Sequence, residues 1–311
     1  MAGFGAYLAL ARPAQWVKNG FVLTGLLFGH AWSDPRLLAD GIACFVGFCL
    51  VSSAVYAFND VLDRDADRAH QHKRNRPVAS GAVSIKGALV FASLLAIGGL
   101  LLEGATSLIA LALTLCYIGL NLGYSFGLKH VVGLDVIIIS AGFMLRILVG
   151  TMGVGIEPSR WLIICGFMLT LFLGFAKRRA ELAAFHADTG RNGSLRDESL
   201  NAQGAGLPTP MRRVLATYSL AWLERIIAAC AIGAVGAYAA YTLDPGTIEL
   251  HGTNRLVATV PVVVYGIGRY LWTLYRRGQG ADPATQMWRD PHLFGAIVCW
   301  LALTGWLIRG G

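Results

Sequence analysis

Charge is scarce in this chain. Asp, Glu, Lys and Arg make up 14% of its 311 residues, against about 25% in an ordinary soluble domain. Hydrophobic residues make up 55%. That balance excludes a water-soluble globular fold and points to a polytopic membrane protein, for which length is no guide to domain count. Acidic charge is scarcer still, with 18 Asp and Glu against 26 Lys and Arg, a formal net charge of +8. In a membrane protein such an excess reflects cytoplasmic loops beside anionic lipid, so no nucleic-acid partner is expected. CxxC pairs are missing. Cys44, Cys49, Cys116, Cys165, Cys230 and Cys299 all fall in apolar runs and read as small buried hydrophobes. There is no P-loop, no GxSxG and no solenoid repeat of about 20–50 residues. The N-terminus lacks a basic region and a small-residue cleavage site, so no cleavable signal peptide is expected.

What the chain has is long apolar runs. A bilayer-spanning helix needs about 20 mostly apolar residues. The qualifying runs are Ala14–His30, Ala39–Phe58, Gly87–Leu102, Thr106–Tyr124, Leu134–Gly153, Trp161–Ala176, Leu215–Tyr241, Leu256–Leu274 and Leu293–Ile308. The expected fold is all-α, a polytopic helical bundle of about nine transmembrane helices in one domain over residues 1–311. With the N-terminus in the cytoplasm, most Lys and Arg fall on inner segments, and the outer ones keep Arg36, Arg160, Arg255 and Arg309. That asymmetry predicts a cytoplasmic N-terminus. Residues 59–81 and 177–213 then form cytoplasmic loops. The second loop carries a Gly-, Asn- and Ser-rich linker.

One polar stretch interrupts the apolar pattern, Asn59-Asp-Val-Leu-Asp-Arg-Asp-Ala-Asp67 and the basic residues after it. Read as a helix end, Asn59, Asp60, Asp63 and Asp67 share one face, because residues three and four apart are neighbours. Asp65 points elsewhere. Several carboxylates on one face repel each other unless a cation sits between them. Mg²⁺ carried on a phosphate fits, since it binds through few carboxylates plus substrate oxygens. Lys73, Arg74 and Arg76 follow, ready to grip the same phosphate, Arg bidentately. The alternative is a solvated charge run.

Other polar residues at span ends add cations. Lys18, near Trp16 and Asn19, either snorkels or reaches a phosphate. Tyr124 and Lys129 sit where the fourth run ends. Lys177, Arg178 and Glu181 sit where the sixth ends, with Lys177 and Glu181 spaced for a helical ion pair. The functional reading makes this group a cationic wall opposite the acidic one. Asp135 and Arg146 lie within the fifth run. Intramembrane ionisable residues are functional candidates by default, although each could instead pair with a neighbouring helix. Glu224 and Arg225 read as structural.

These residues resemble the UbiA superfamily of intramembrane prenyltransferases, through Asn59-Asp60-x-x-Asp63-x-x-x-Asp67 after the second run. Within it the chain looks most like the phosphoribosyltransferases that act on polyprenyl phosphate. The pieces Arg12–Asn19, Ser53–Gly81, Gly127–Gly150 and Ala176–Leu182 carry that narrower likeness. Aromatic prenyltransferases of the superfamily have a second Asp-rich motif after the sixth span. Here that place holds Lys177-Arg178-x-x-Glu181. The resemblance implies phosphoribosyl pyrophosphate (PRPP) as donor, held by Mg²⁺ on Asp60, Asp63 and Asp67 with support from Asn59. Lys73, Arg74 and Arg76 hold the sugar's phosphates. A polyprenyl phosphate acceptor has its head near Lys129, Arg146, Lys177 and Arg178. Asp135 either stabilises charge developing on the sugar or balances Arg146. The resemblance further implies a bacterial inner membrane, with the product feeding cell-wall precursors. The rival enzyme reading is an aromatic or quinone prenyltransferase using a prenyl diphosphate. A transporter is the rival of another class, disfavoured because charge gathers at one membrane face.

Overall fold

The computed structural model describes residues 3–29, 31–70, 73–128, 131, 133–192, 219–276, 286 and 289–309. Among these there is no strand. The described residues fall into two compact units, 3–158 and 159–309. Among the described residues eight helices are long and apolar enough to cross a membrane, and the chain is an integral membrane protein.

The first unit begins with α1 (Phe4–Ala11), a 3₁₀ stretch over Pro13–Leu23 and the short α2 (Thr24–Phe28). The run expected to be the first span is therefore helical but irregular. Pro13 starts it with its fixed φ, and buried Asn19 then takes side-chain partners on neighbouring helices. The remaining expected spans match helices to within a few residues, except that the helix of the sixth runs well past Ala176 and the expected start of the seventh, Leu215, lies outside the described residues. α3 (Pro35–Leu62) is the most enclosed of the eight. Pro35 opens it and the Asp34 carboxylate accepts from the Arg36 and Leu37 amides, satisfying donors a helix start leaves orphaned. α4 (Arg64–Arg68) follows at once. α5 (Ile85–Thr106) and α6 (Leu108–Phe126) are capped by Ser84 and Ser107. α7 (Leu134–Leu148) runs on into a π turn over Val149–Gly153.

α3 crosses α5 with backbones almost touching. A Cβ at Gly99 would stand 2.6 Å from the Gly47 carbonyl oxygen, so two glycines set this crossing. One apolar cluster gathers Val22, Cys44, Phe48, Val51, Ala110, Tyr117 and Val149. A second gathers Leu10, Ala54, Ala57, Val78, Val83, Ala88 and Ala92. The second cluster pins the loop after Asn75 beneath α1, because Val78 and Val83 are almost wholly buried in it.

The second unit holds α8 (Arg160–Asn192), α9 (Leu220–Leu243), α10 (Pro245–His251), a 3₁₀ turn (Arg255–Thr259), α11 (Val260–Arg276) and α12 (Pro291–Arg309). α8 continues as helix through Lys177–Asn192, where a loop was expected. The rest of the expected linker, from residue 193 on, lies outside the described residues. α8 and α9 pack antiparallel. Trp161 donates to Asp244 at one end (3.0 Å) and Arg179 bonds Glu224 at the other (3.1 Å). Glu224 is thus structural, as read. Tyr238 joins Thr259 (2.7 Å) and Trp300 (2.7 Å), tying α9 to the 3₁₀ turn and α12.

Arg269 of α11 grips Asp290 through Nε and Nη2 at 2.8–3.3 Å, and Asp290 also caps α12 by accepting from the His292 and Leu293 amides. The Arg269 hydrogen bonds, then those from the two amides, hold the Asp290 carboxyl below the usual carboxylate range. A depressed folded-state pKa stabilises fully above the unfolded value, about 4, and the contribution fades as pH falls through the folded value. Asp290→Asn should therefore melt lower than the parent at pH 7, with the gap closing as pH drops below about 4. Thermal melts of both proteins across pH check this, and a gap that stays constant or widens on acidification contradicts it.

Candidate functional site

The acidic motif straddles a helix break. Asn59 and Asp60 end α3, Asp63 stands at the junction with φ −88° and ψ 5°, and Asp67 lies in α4. The face is therefore assembled from two helices. Asp60 and Asp67 are buried, 2% and 3% exposed. Asp63 is half-buried, and Asp65 is exposed beside Arg64, so Asp65 does point elsewhere. Ser125 of α6 donates to Asn59 Oδ1 at 2.8 Å and fixes that amide.

Two guanidiniums link the carboxylates into a row, Arg12–Asp60–Arg76–Asp67. Arg76 Nη1 bonds Asp67 Oδ2 at 2.6 Å and Asp60 Oδ1 at 3.3 Å. Arg12 Nη2 bonds Asp60 Oδ1 at 2.5 Å and stacks over Tyr56, 5.3 Å from its centroid. Arg76 was expected on phosphate. Here its partners are carboxylates, as Coulomb attraction between buried charges dictates. Arg12 had no expected role, because nothing local in the sequence signals a partner 48 residues away. The one cue was its place in Arg12–Asn19, which reads equally as an interfacial charge.

The backbone at Arg12 is unusual. Its φ of 53° is the one positive value at a non-glycine among the described residues. Ser53 donates to the Ala11 carbonyl (2.8 Å) and Trp16 Nε1 donates to Ser53 Oγ (2.9 Å). The left-handed residue is thus clamped to α3 from both sides. Such strain persists only where surroundings over-determine it, and it gathers at functional sites.

Metal fit turns on the carboxylates. Among the described residues, no three His, Cys, Asp or Glu form a ready cage for an ion. Of the three aspartates expected to hold the metal, Asp60 and Asp67 are buried and Asp63 stands half-buried at the helix break. Asp60 Oδ2 is nonetheless buried without a hydrogen-bond partner. A buried, orphaned carboxylate oxygen is costly and suits a hard divalent cation that takes few protein ligands and completes its shell with phosphate and water.

Deeper in the unit lies Arg146, 5% exposed. It donates to Asn19 Oδ1 (2.9 Å), the Gly142 carbonyl (2.7 Å) and the Tyr117 hydroxyl (3.1 Å). The rings of Tyr117, Phe48 and Phe143 surround it at 4.8–5.3 Å, a cation–π cage. Asn19 Nδ2 in turn donates to Ser52 (3.0 Å) and Cys49 (3.3 Å). Arg146 thus locks the 3₁₀ stretch to α3, α6 and α7. Asp135 is buried in the first turn of α7, where the helix dipole favours an anion. Lys18, Tyr124 and Lys73 are half-buried, Arg74 is exposed, and Lys129 lies outside the described residues. In the second unit, Arg178 pairs with Glu181 three residues on, and Lys177 Nζ stands 4.0 Å from the same carboxylate. The helical ion pair is thus present, with Arg178 as its nearer partner.

The family model for the UbiA prenyltransferase family matches residues 19–294. This chain belongs to the UbiA prenyltransferase family. The decaprenyl-phosphate phosphoribosyltransferase of Corynebacterium glutamicum is 35% identical to this UbiA member over 247 residues, 78% of this chain and 68% of that protein. The enzyme of the same name from Mycolicibacterium smegmatis is 39% identical over 176 residues, 55% of each chain. A UbiA homolog from Archaeoglobus fulgidus, solved with GPP and Mg²⁺, superposes with a TM-score of 0.66 over 98% of this chain and 99% of that one. At 16% identity that likeness concerns the UbiA fold alone.

Proposed function

We propose that this UbiA-family enzyme transfers the 5-phosphoribosyl group of PRPP to a polyprenyl phosphate and releases pyrophosphate, at the cytoplasmic face of a bacterial inner membrane. The observation that carries the reading is the buried pair Asp60 and Asp67, with an unpartnered Asp60 oxygen, held by Arg12 and Arg76. The named relatives support the choice of donor and acceptor.

Asp60, Asp63 and Asp67 are proposed to hold Mg²⁺, with Asn59 oriented beside them by Ser125. When bound, Mg²⁺ supplies Lewis-acid stabilisation of the charge growing on the leaving group. Lys73, Arg74 and Arg76 bind the donor's phosphate oxygens. Lys18, Tyr124, Lys129, Lys177 and Arg178 are assigned to the lipid phosphate, with Glu181 orienting the two cations of its helix. An oxygen of the lipid phosphate attacks C1 of the ribose. The bond from C1 to the pyrophosphate oxygen breaks, and pyrophosphate leaves with the electron pair. A phosphate monoester is mostly dianionic at neutral pH, its second pKa being about 6, so no general base is needed. Asp135, buried at the start of α7, is assigned to positive charge developing at the sugar. Arg146 keeps a role in shaping the lipid-phosphate site through the helices it locks.

An aromatic prenyltransferase would carry a second acidic motif after its sixth span, whereas Lys177-Arg178 offers cations to a monophosphate. The test is incubation of purified protein with ribose-labelled PRPP, polyprenyl phosphate and Mg²⁺, then lipid extraction. Label moves to the organic phase if the reading is right. Turnover of a prenyl diphosphate with an aromatic acceptor, and none of PRPP, overturns it.

A further inference from the structure

Arg12 has no assigned role, yet three independent features converge on it. Its side chain reaches Asp60 Oδ1, an oxygen it shares with Arg76. Its backbone is strained into the left-handed region and clamped by Ser53 and Trp16. Its partner's other oxygen is buried and unpartnered.

Charge counting shows what the two arginines do. Asp60 and Asp67 carry two negative charges and Arg12 and Arg76 two positive, so these four groups balance, and half-buried Asp63 adds one further negative charge beside them. A divalent cation arriving with a diphosphate brings its own counter-charge. The carboxylates can then bind the metal, but the two guanidiniums lose their partners. Unpaired guanidiniums in a half-buried site are costly, and a diphosphate is the acceptor that suits their fork geometry. The Arg12 side chain is 27% exposed, so its head can turn toward a ligand without unpacking the core.

We propose that Arg12 is a substrate-binding residue that exchanges partners. Without ligand it neutralises Asp60, and with metal–diphosphate bound it releases Asp60 to the metal and binds a diphosphate oxygen. The left-handed backbone, clamped to α3, holds the guanidinium at Asp60. This inference rests on the reading of Asp60 and Asp67 as the metal seat.

The exchange predicts opposite changes in two affinities, which a merely structural role would not give. Full-length Arg12→Gln in detergent is titrated first with Mn²⁺ alone, followed by electron paramagnetic resonance of the free ion. It is then titrated with pyrophosphate at saturating Mn²⁺, followed by calorimetry. Mn²⁺ alone should bind about tenfold tighter than in the parent, because its competitor is gone. Pyrophosphate should bind about tenfold more weakly or worse, as loss of one charge-assisted hydrogen bond dictates. Arg12→Asn, a residue that tolerates the left-handed backbone, should show the same opposed pair and serves if the glutamine variant fails to fold. Both affinities weakening together, or pyrophosphate binding left unchanged, overturns the exchange. Neither probe is PRPP or a lipid. Opposed shifts in a protein that transfers nothing from PRPP would therefore sink the proposed reaction and leave Arg12 standing.

Discussion

Asp60→Asn is expected to lower phosphoribosyl transfer by about a thousandfold or more, while the protein still extracts and elutes as the parent does. The size follows from losing metal-borne charge stabilisation, worth several kcal/mol in such sites. The fold should survive because asparagine keeps the shape of a side chain that is only 2% exposed, and Asp67 still holds Arg76 at 2.6 Å. Asp63→Ala should fall comparably in rate. It stands at the helix break and is half-buried, so its removal disturbs packing less than loss of Asp60 would. Initial rates at saturating Mg²⁺ check both. Mg²⁺-dependent activity within tenfold of the parent in either variant contradicts the metal assignment.

Gly150→Ala is expected to be the most damaging small change to the fold. A Cβ at Gly150 would fall on the Val22 carbonyl oxygen, with the Val22 Cα only 2.9 Å away, and a Cβ at Gly25 would fall in turn on the Gly150 carbonyl oxygen. The atoms struck are backbone, so no rotamer change relieves the contact. Overpacking usually costs about 1–3 kcal/mol, and with nothing able to yield the cost here should reach about 3 kcal/mol or more. The 3₁₀ stretch must then move off the π turn, carrying Asn19 away from Arg146, so activity falls as well. Gly236→Ala is the control. Nothing lies within 4 Å of its Cβ, and alanine in a helix interior gains about 0.5–1 kcal/mol over glycine. Thermal melts in detergent should place the two on opposite sides of the parent. An unchanged midpoint for Gly150→Ala would mean these segments are not locked as described.

The contrast between these residues shows what the sequence carried. Long apolar runs announced the spans, because bilayer thickness sets a length that a hydropathy pattern reveals directly. The three- and four-residue spacing announced Asp60 and Asp67 and set Asp65 apart, because helical periodicity is local. Nothing local announced that the run from Ala14 would begin as a 3₁₀ stretch. Asn19 belongs there because Ser52, Cys49 and Arg146, up to 127 residues away, bind it. Arg12 was hidden for the same reason, and Gly25 and Gly150 looked like ordinary glycines in apolar runs. The Arg76 contacts with Asp60 and Asp67 were hidden too, since those carboxylates reach it only through the fold.

The central claim is that the lipid acts as nucleophile toward a phosphoribosyl donor. The decisive measurement gives the purified protein PRPP labelled in its ribose, with polyprenyl phosphate and Mg²⁺, and counts the organic phase. The account predicts label in the lipid fraction in step with pyrophosphate release, lost when polyprenyl phosphate is omitted and lost in Asp60→Asn. Label confined to the aqueous phase, with a prenyl diphosphate consumed in its place, would contradict it.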